Sequence, residues 1–359
     1  MTAAARAAVR RLRSGVVPLW TIDKLSVGYA NPRRRLNVAV DALLNGVDAE
    51  PVFVRGEWGT GKSHLLMFAR GAAAARGVPS TSVDLNARSV ALSHATRFYL
   101  PAVENITHDG QRGLQAVLIP HLNDSVARES IEEFALDGEC ADLDWPLLEV
   151  CRAHRKGELL GEYYQAAWRV LLGGDLSWAD YSYKRVRALA RIQALGGLFA
   201  ALGMGGLAIV FDEAETIDQL ANIRSRMSAY GVIGRLCQMK SIWCLFGITE
   251  RFDFIVRNDL QRDKTSVTPA EQQAKWFLKR WEEEAFQVMR PPAIDLEHAA
   301  TLASSVVALY VSAYGNASNE DRAARACVDE WTRNPGRNPR RLIRALIHRL
   351  DAQRPLATA

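Results

Sequence analysis

Eight consecutive residues, Gly56-Glu57-Trp58-Gly59-Thr60-Gly61-Lys62-Ser63, satisfy the spacing G-x-x-x-x-G-K-[ST] without a mismatch. Glycines at these positions let the backbone curl so that successive N–H groups converge, and a helix that starts at the end of the turn adds its partial positive charge. The result is a cradle for phosphate oxygens. In it Lys62 would neutralise β- and γ-phosphates, and Ser63 would offer its hydroxyl to Mg²⁺, whose remaining ligands are mostly phosphate oxygen and water. His64 completes the expected nucleotide-binding stretch, although a lone imidazole inside a helix more often packs than reacts.

A second group of residues supplies the chemistry that a phosphate cradle alone lacks. The apolar run LAIVF at 207–211 ends in Asp212 and Glu213. Asp212 is placed to anchor Mg²⁺ and its water, and Glu213 to accept a proton from an attacking water, a role that hydrolysis needs and small-molecule phosphotransfer generally does not. The competing reading is that Asp212, Glu213 and Glu215 cap the next helix. Thr249, at the end of SIWCLFGIT, would hold the same water or form a turn. Arg340 opens the last helix, where its charge opposes the helix dipole unless an anion lies nearby. Arg257 and Arg262 are candidates for fingers acting on a neighbouring subunit or for surface charges. No N-K-x-D guanine-reading motif occurs, which favours ATP over GTP.

These residues need a strand, a turn and a helix in fixed order. Val52-Phe53-Val54 reads as a short buried strand, Lys62 to Arg76 as a helix, and Ser80 to Leu85 as the next strand. Residues 207–211, 241–249 and 285–289 supply three more. The predicted fold is therefore α/β, a parallel five-stranded sheet of the P-loop NTPase, AAA-like type. A mainly helical insertion is expected at about 88–200, and residues 291–359 read as a helical lid behind a core spanning 1–290. The lid's last helix carries Leu342, Ile343, Leu346, Ile347 and Leu350 on one side, with Arg340, Arg341, Arg344 and Arg349 around the rest.

Composition limits what else the chain does. Of 359 residues, 48% are hydrophobic and 24% charged, the balance of a folded globular protein. Forty-five basic against forty acidic residues give +5, which permits a nucleic-acid partner without implying one. Basic clusters at Arg33 to Arg35 and in the last helix, and the tryptophans Trp145, Trp168 and Trp178, read more readily as solvated faces and core than as a nucleic-acid surface. Five scattered cysteines (Cys140, Cys151, Cys237, Cys244, Cys327) show no C-x-x-C pair, so a reducing, cytoplasmic location is expected. No window approaches the length of a continuous apolar membrane span. Arg6, Arg10, Arg11 and Arg13, with no acid before Asp23, suit either a transit peptide or an amphipathic first helix, of which the helix is expected.

GEWGTGKSHLL, LAIVFDEAETI, the strand ending FGIT and the late GRNPRRLI together resemble the AAA-type ATPases related to the origin-recognition group. More narrowly, LRSGVVPLWTIDKLSVGY, VDLNARSVALSHATRFY, and DEAETI followed by Arg224, Arg226, Met227 and Tyr230 are similar to the BrxC/BrxD ATP-binding proteins of bacterial BREX phage-defence islands. The likeness spans residues 8 to 350. It implies an ATPase that couples nucleotide state to a larger assembly acting on DNA. Lys62 and Ser63 would then sit on phosphates and Mg²⁺, Asp212 and Glu213 act as metal anchor and base, and Thr249 and Arg340 act as first and second sensors. Leu25 to Tyr29 would lie near the adenine. The chain ends soon after the lid, so the DNA-binding winged helix of many origin-recognition relatives is not expected.

The expectation is thus an Mg²⁺-dependent ATPase and nucleotide switch working with other defence-system proteins, with self-assembly and DNA left open as partners and no membrane. A non-hydrolysing ATP-binding scaffold is the alternative. A small-molecule kinase, with the insertion as acceptor pocket, is a weaker third.

Overall fold

VFVR, LAIVFD and IWCLFGI are too short and too continuously apolar for amphipathic helices, and in the computed structural model each is a strand buried over nearly its whole length. The described residues are 3–138, 142–176, 181–220, 222–262, 269–315, 319–333 and 338–354. Cys140, Trp178, Gly336 and Arg337 lie outside them, as does the side chain of Arg262.

Among the described residues seven strands form one sheet: β1 Val52–Arg55, β2 Ser80–Asp84, β3 Thr107–His108, β4 Gln111–Arg112, β5 Leu207–Asp212, β6 Ile242–Ile248 and β7 Gln287–Met289. Their order is β4-β3-β2-β5-β6-β1-β7. β2, β5, β6, β1 and β7 run parallel to their neighbours in that order, whereas β3 is antiparallel to β2 and to β4. The expected five-stranded parallel sheet is therefore corrected to a seven-stranded mixed one. The added hairpin turns at Asp109-Gly110, both at positive φ (46° and 78°). Its strands are two residues long and polar, so no apolar alternation marks them in the sequence.

By internal packing the chain divides into two compact units, where the sequence suggested one boundary near residue 290. One unit comprises Met1–Arg34, Gly56–Gly71 and Arg290–Ala359; the other comprises Arg35–Arg55 and Ala72–Met289 and contains the whole sheet. In the sheet unit, register pairs Phe53 with Phe246 and Phe211 with Phe246. Paired residues share a face, so three rings stack across β1, β6 and β5 with centroid separations of 5.0 and 5.2 Å. Trp281 meets Phe53 edge-on at 5.0 Å. Between β2 and β5 the described residues form six helices, from Ala95–Glu104 to Tyr181–Ala201. Among them the fully buried Arg191 is saturated by Asp142 (2.8 and 2.6 Å), Asp175 (2.7 Å twice) and the Val170 carbonyl. A buried guanidinium is tolerated on those terms.

In the other unit Ala5, Ala8, Val9 and Leu12 form the apolar stripe of the first helix, Ala3–Arg13, and are buried with Leu302, Val306, Tyr310, Leu346 and Leu350. Arg13 grips Asp351 with two hydrogen bonds of 2.9 and 2.6 Å, and the Tyr310 hydroxyl donates to the same carboxylate at 2.9 Å. That packing explains why the first residues group with the last. Leu296–Tyr314 is long and apolar enough to cross a membrane by length and composition. Here Ala299, Leu302, Ala303, Val306, Leu309, Tyr310 and Ala313 are buried, and it serves as the core helix of this unit.

Candidate functional site

β1 ends at Arg55 and the chain passes at once into the glycine-rich turn, which closes with Thr60 N–H and Thr60 Oγ1 both donating to the Glu57 carbonyl at 3.2 and 2.7 Å. Gly59 and Gly61 hold φ of +80° and +103°, the left-handed region that a side chain disfavours. The helix Lys62–Ala74 starts directly afterwards, with Leu65 N–H donating to the Gly61 carbonyl at 2.9 Å. The N–H groups of Lys62, Ser63 and His64 belong to the first turn, ahead of that bond, and are of the kind a helix start offers to an anion. Lys62 is buried, with Nζ 5.8 Å from the centroid of the Trp58 ring; Trp58 itself is exposed.

His64 is held rather than mobile. Ser26 gives its one hydroxyl proton to the Ile22 carbonyl at 2.6 Å, so its oxygen accepts from His64 Nε2–H at 2.8 Å, which assigns the tautomer. Burial lowers the imidazole pKa from 6.5 to about 4, leaving it neutral near pH 7. Tyr29 meets His64 and Phe68 edge-on at 5.2 and 5.0 Å, and Arg33 lies over Phe68 at 4.9 Å. The stretch Leu25 to Tyr29, expected beside an adenine, thus stands against the helix that carries Lys62 and Ser63.

The last helix, Pro339–Ala352, begins in the same unit with Asn338 as N-cap and Pro339 in its first turn. Asn338 Oδ1 accepts the Arg340 N–H at 2.9 Å. A Cβ at Gly59 would collide with the Asn338 amide nitrogen, so this side chain lies directly on the phosphate loop. Arg340, the expected second sensor, is exposed and runs beside Gly15, whose Cβ would come within 2.9 Å of Arg340 Nε. Sequence reading passed over Asn338, although Asn-Pro ahead of an apolar-periodic helix is a readable start signal.

The carboxylates lie in the sheet unit. Asp212 closes β5, and its Oδ1 accepts the Glu213 N–H at 2.9 Å. Glu213 adopts a left-handed conformation, φ 59° and ψ 36°, and leads into the 3-10 helix Ala214–Gln219. Glu213 is the N-cap residue of that 3-10 helix and its side chain makes no capping hydrogen bond there, so the Asp212 bond fixes the corner rather than capping the helix. Thr249 follows β6, is buried, and its carbonyl accepts the Phe252 N–H at 3.2 Å. Parallel register, Phe211 with Phe246 and Arg55 with Ile248, brings the ends of β5, β6 and β1 to one edge of the sheet. Asp84, which sequence reading did not single out, is the register partner of Asp212 across β2 and β5.

Other singled-out residues have structural partners. Arg226 clasps Asp259 with two bonds of 2.6 and 2.8 Å, and the Tyr230 hydroxyl adds a third at 3.0 Å. Arg257 is held by Asp253 at 3.0 Å and Glu284 at 3.4 Å. Lys62, Ser63 and Arg340 thus belong to the helical unit, and Asp212, Glu213 and Thr249 to the sheet unit.

No curated protein matches this chain. The family model described as BREX system ATP-binding protein BrxC/D matches residues 2–136 and 183–356. The unmatched stretch between holds the helices Asp144–Lys156 and Glu162–Leu171. With most of its length matched, including the phosphate loop and both carboxylates, the chain belongs to the BrxC/D family of BREX system ATP-binding proteins.

Proposed function

We propose that this protein is an Mg²⁺-dependent ATPase and nucleotide switch of a bacterial BREX phage-defence system, working in the cytoplasm with the system's other proteins. The observation that carries the proposal is the strand, turn and helix at residues 52–74, with Gly59 and Gly61 at positive φ and buried Lys62 opening the helix. This donor set fits a polyphosphate: converging first-turn N–H groups, one lysine, and a serine hydroxyl beside it.

ATP would bring the phosphoanhydride to be broken, and Mg²⁺ would offset the charge on its oxygens. Within the chain, residues 56–64 would bind the triphosphate, Lys62 countering its charge. Ser63 and Asp212 would hold the metal. Glu213 would accept the proton of the attacking water at its carboxylate, and Thr249 would orient that water through its hydroxyl. Arg340, projecting from the first turn of the last helix, would respond to the nucleotide from that side. Self-assembly and DNA contact belong to the same reading as questions of partner.

Two variants test it. Lys62→Ala should abolish ATP binding and phosphate release, while Glu213→Gln should bind ATP normally and lose turnover by about 10²- to 10⁴-fold. Wild-type rates in both variants would sink the proposal. ATP binding without turnover in the wild-type protein, alone and with its partner proteins, would establish the scaffold reading instead.

A further inference from the structure

Asn338 joins two requirements in one side chain. Its Oδ1 is committed to the Arg340 N–H at 2.9 Å, and its backbone carbonyl accepts the Trp331 indole N–H at 3.1 Å. With the amide oxygen so engaged, the end turned to Gly59 is Nδ2, a group with two donors and no acceptor. Only a residue without Cβ allows that approach, and Gly59 also has the φ of +80° that shapes the turn. The result is an N–H donor from the last helix seated on the backbone that would cradle a triphosphate. The three atoms nearest to a Cβ at Gly59 all belong to Asn338, whereas Arg340 runs along Gly15.

We infer that Asn338 is a ligand of the triphosphate, its amide N–H adding a donor to the phosphate loop and its oxygen tying the occupied loop to the first turn of the last helix. The inference rests on the ATP-binding reading proposed above. A neutral amide suits the position: it donates to an anion without the like-charge repulsion that a second cation beside Lys62 would bring. The coupling is short, because the group that would touch phosphate and the group that caps the helix belong to one rigid amide.

Asn338→Ser and Asn338→Asp separate this role from a purely structural one. Serine and aspartate both keep an N-cap acceptor, so both variants should melt like the wild-type protein. Both lose the amide donor, and aspartate turns an acceptor toward the anion. Calorimetric titration with MgATP should show affinity lower by about 10- to 100-fold in the serine variant, the scale of one hydrogen bond to a charged group, and lower still in the aspartate variant. Wild-type affinity in both, with Lys62→Ala unable to bind, would overturn the inference and leave ATP binding intact. A wild-type protein that fails to bind MgATP, or Lys62→Ala binding as well as wild type, would remove both.

A measurement on the wild-type protein covers the case in which the variants do not fold. MgATP should slow amide hydrogen exchange at residues 340–342, the first turn of the last helix, and should not do so in Lys62→Ala. Unchanged exchange there under saturating MgATP would overturn the inference.

Discussion

Across the sheet, Phe53, Phe246 and Phe211 stack ring on ring over three neighbouring strands, whereas in the unit that holds the phosphate loop close approaches are made to glycines: Gly59 by Asn338 and Gly15 by Arg340. The first region is held by apolar area removed from water, which is indifferent to charge. The second holds its shape through backbone conformation, a helix cap and a few polar contacts, all of which feel an anion or a proton. Apolar stability and sensitivity to charge thus rest on different kinds of contact in different parts of the chain.

The largest expected effect breaks the aromatic row. Phe246→Ala removes the ring shared by both stacked pairs and should cost about 3–5 kcal/mol of unfolding free energy, measured by urea denaturation. A loss below about 1 kcal/mol would mean that neighbouring side chains refill the gap and that the row is not the centre of the sheet's stability.

The next tests the charge sensitivity of the loop region. Because burial lowers the His64 pKa from 6.5 to about 4, the unfolded chain takes up a proton between those values that the folded chain refuses. This contribution is complete above about pH 6.5 and falls away as pH drops toward 4, by on the order of 3 kcal/mol. Replacing His64 with Gln, which can still donate to Ser26, should flatten the melting temperature between pH 6.5 and 4 relative to wild type. Parallel pH profiles for the two proteins would show that His64 titrates normally.

The smallest concerns Trp58. Removing an exposed ring from beside Lys62 forfeits a cation–π contact of about 0.5–1 kcal/mol. Trp58→Ala should weaken ATP binding two- to fivefold, by leaving the lysine less preorganised, at unchanged melting temperature. A change of more than about thirtyfold would give Trp58 a direct part in binding.

Much of this molecule can be read from its residues because the signals are local. The G-x-x-x-x-G-K-S spacing, the apolar run ending in Asp212 and Glu213, and the run ending at Thr249 each announce an element within ten residues, and all three elements are present. The hairpin Thr107–Arg112 gave only an Asp-Gly turn without apolar flanks to support it. Grouping of the first helix with the last rests on its apolar stripe finding Leu346 and Leu350 and on Arg13 meeting Asp351, 338 residues away, and no periodicity encodes which partner such a stripe meets. Asn338 was legible as a cap but not as a neighbour of Gly59, since a cap looks alike whatever stands beyond it.

Glu213 carries a side chain at φ 59°, where a residue with a Cβ costs about 1–2 kcal/mol more than glycine would. Any procedure that redesigned this backbone for thermal robustness alone would therefore discard that glutamate among its first choices, and with it the group proposed to take up the proton. A thermostable version of the protein has to exempt this corner and seek its gains elsewhere.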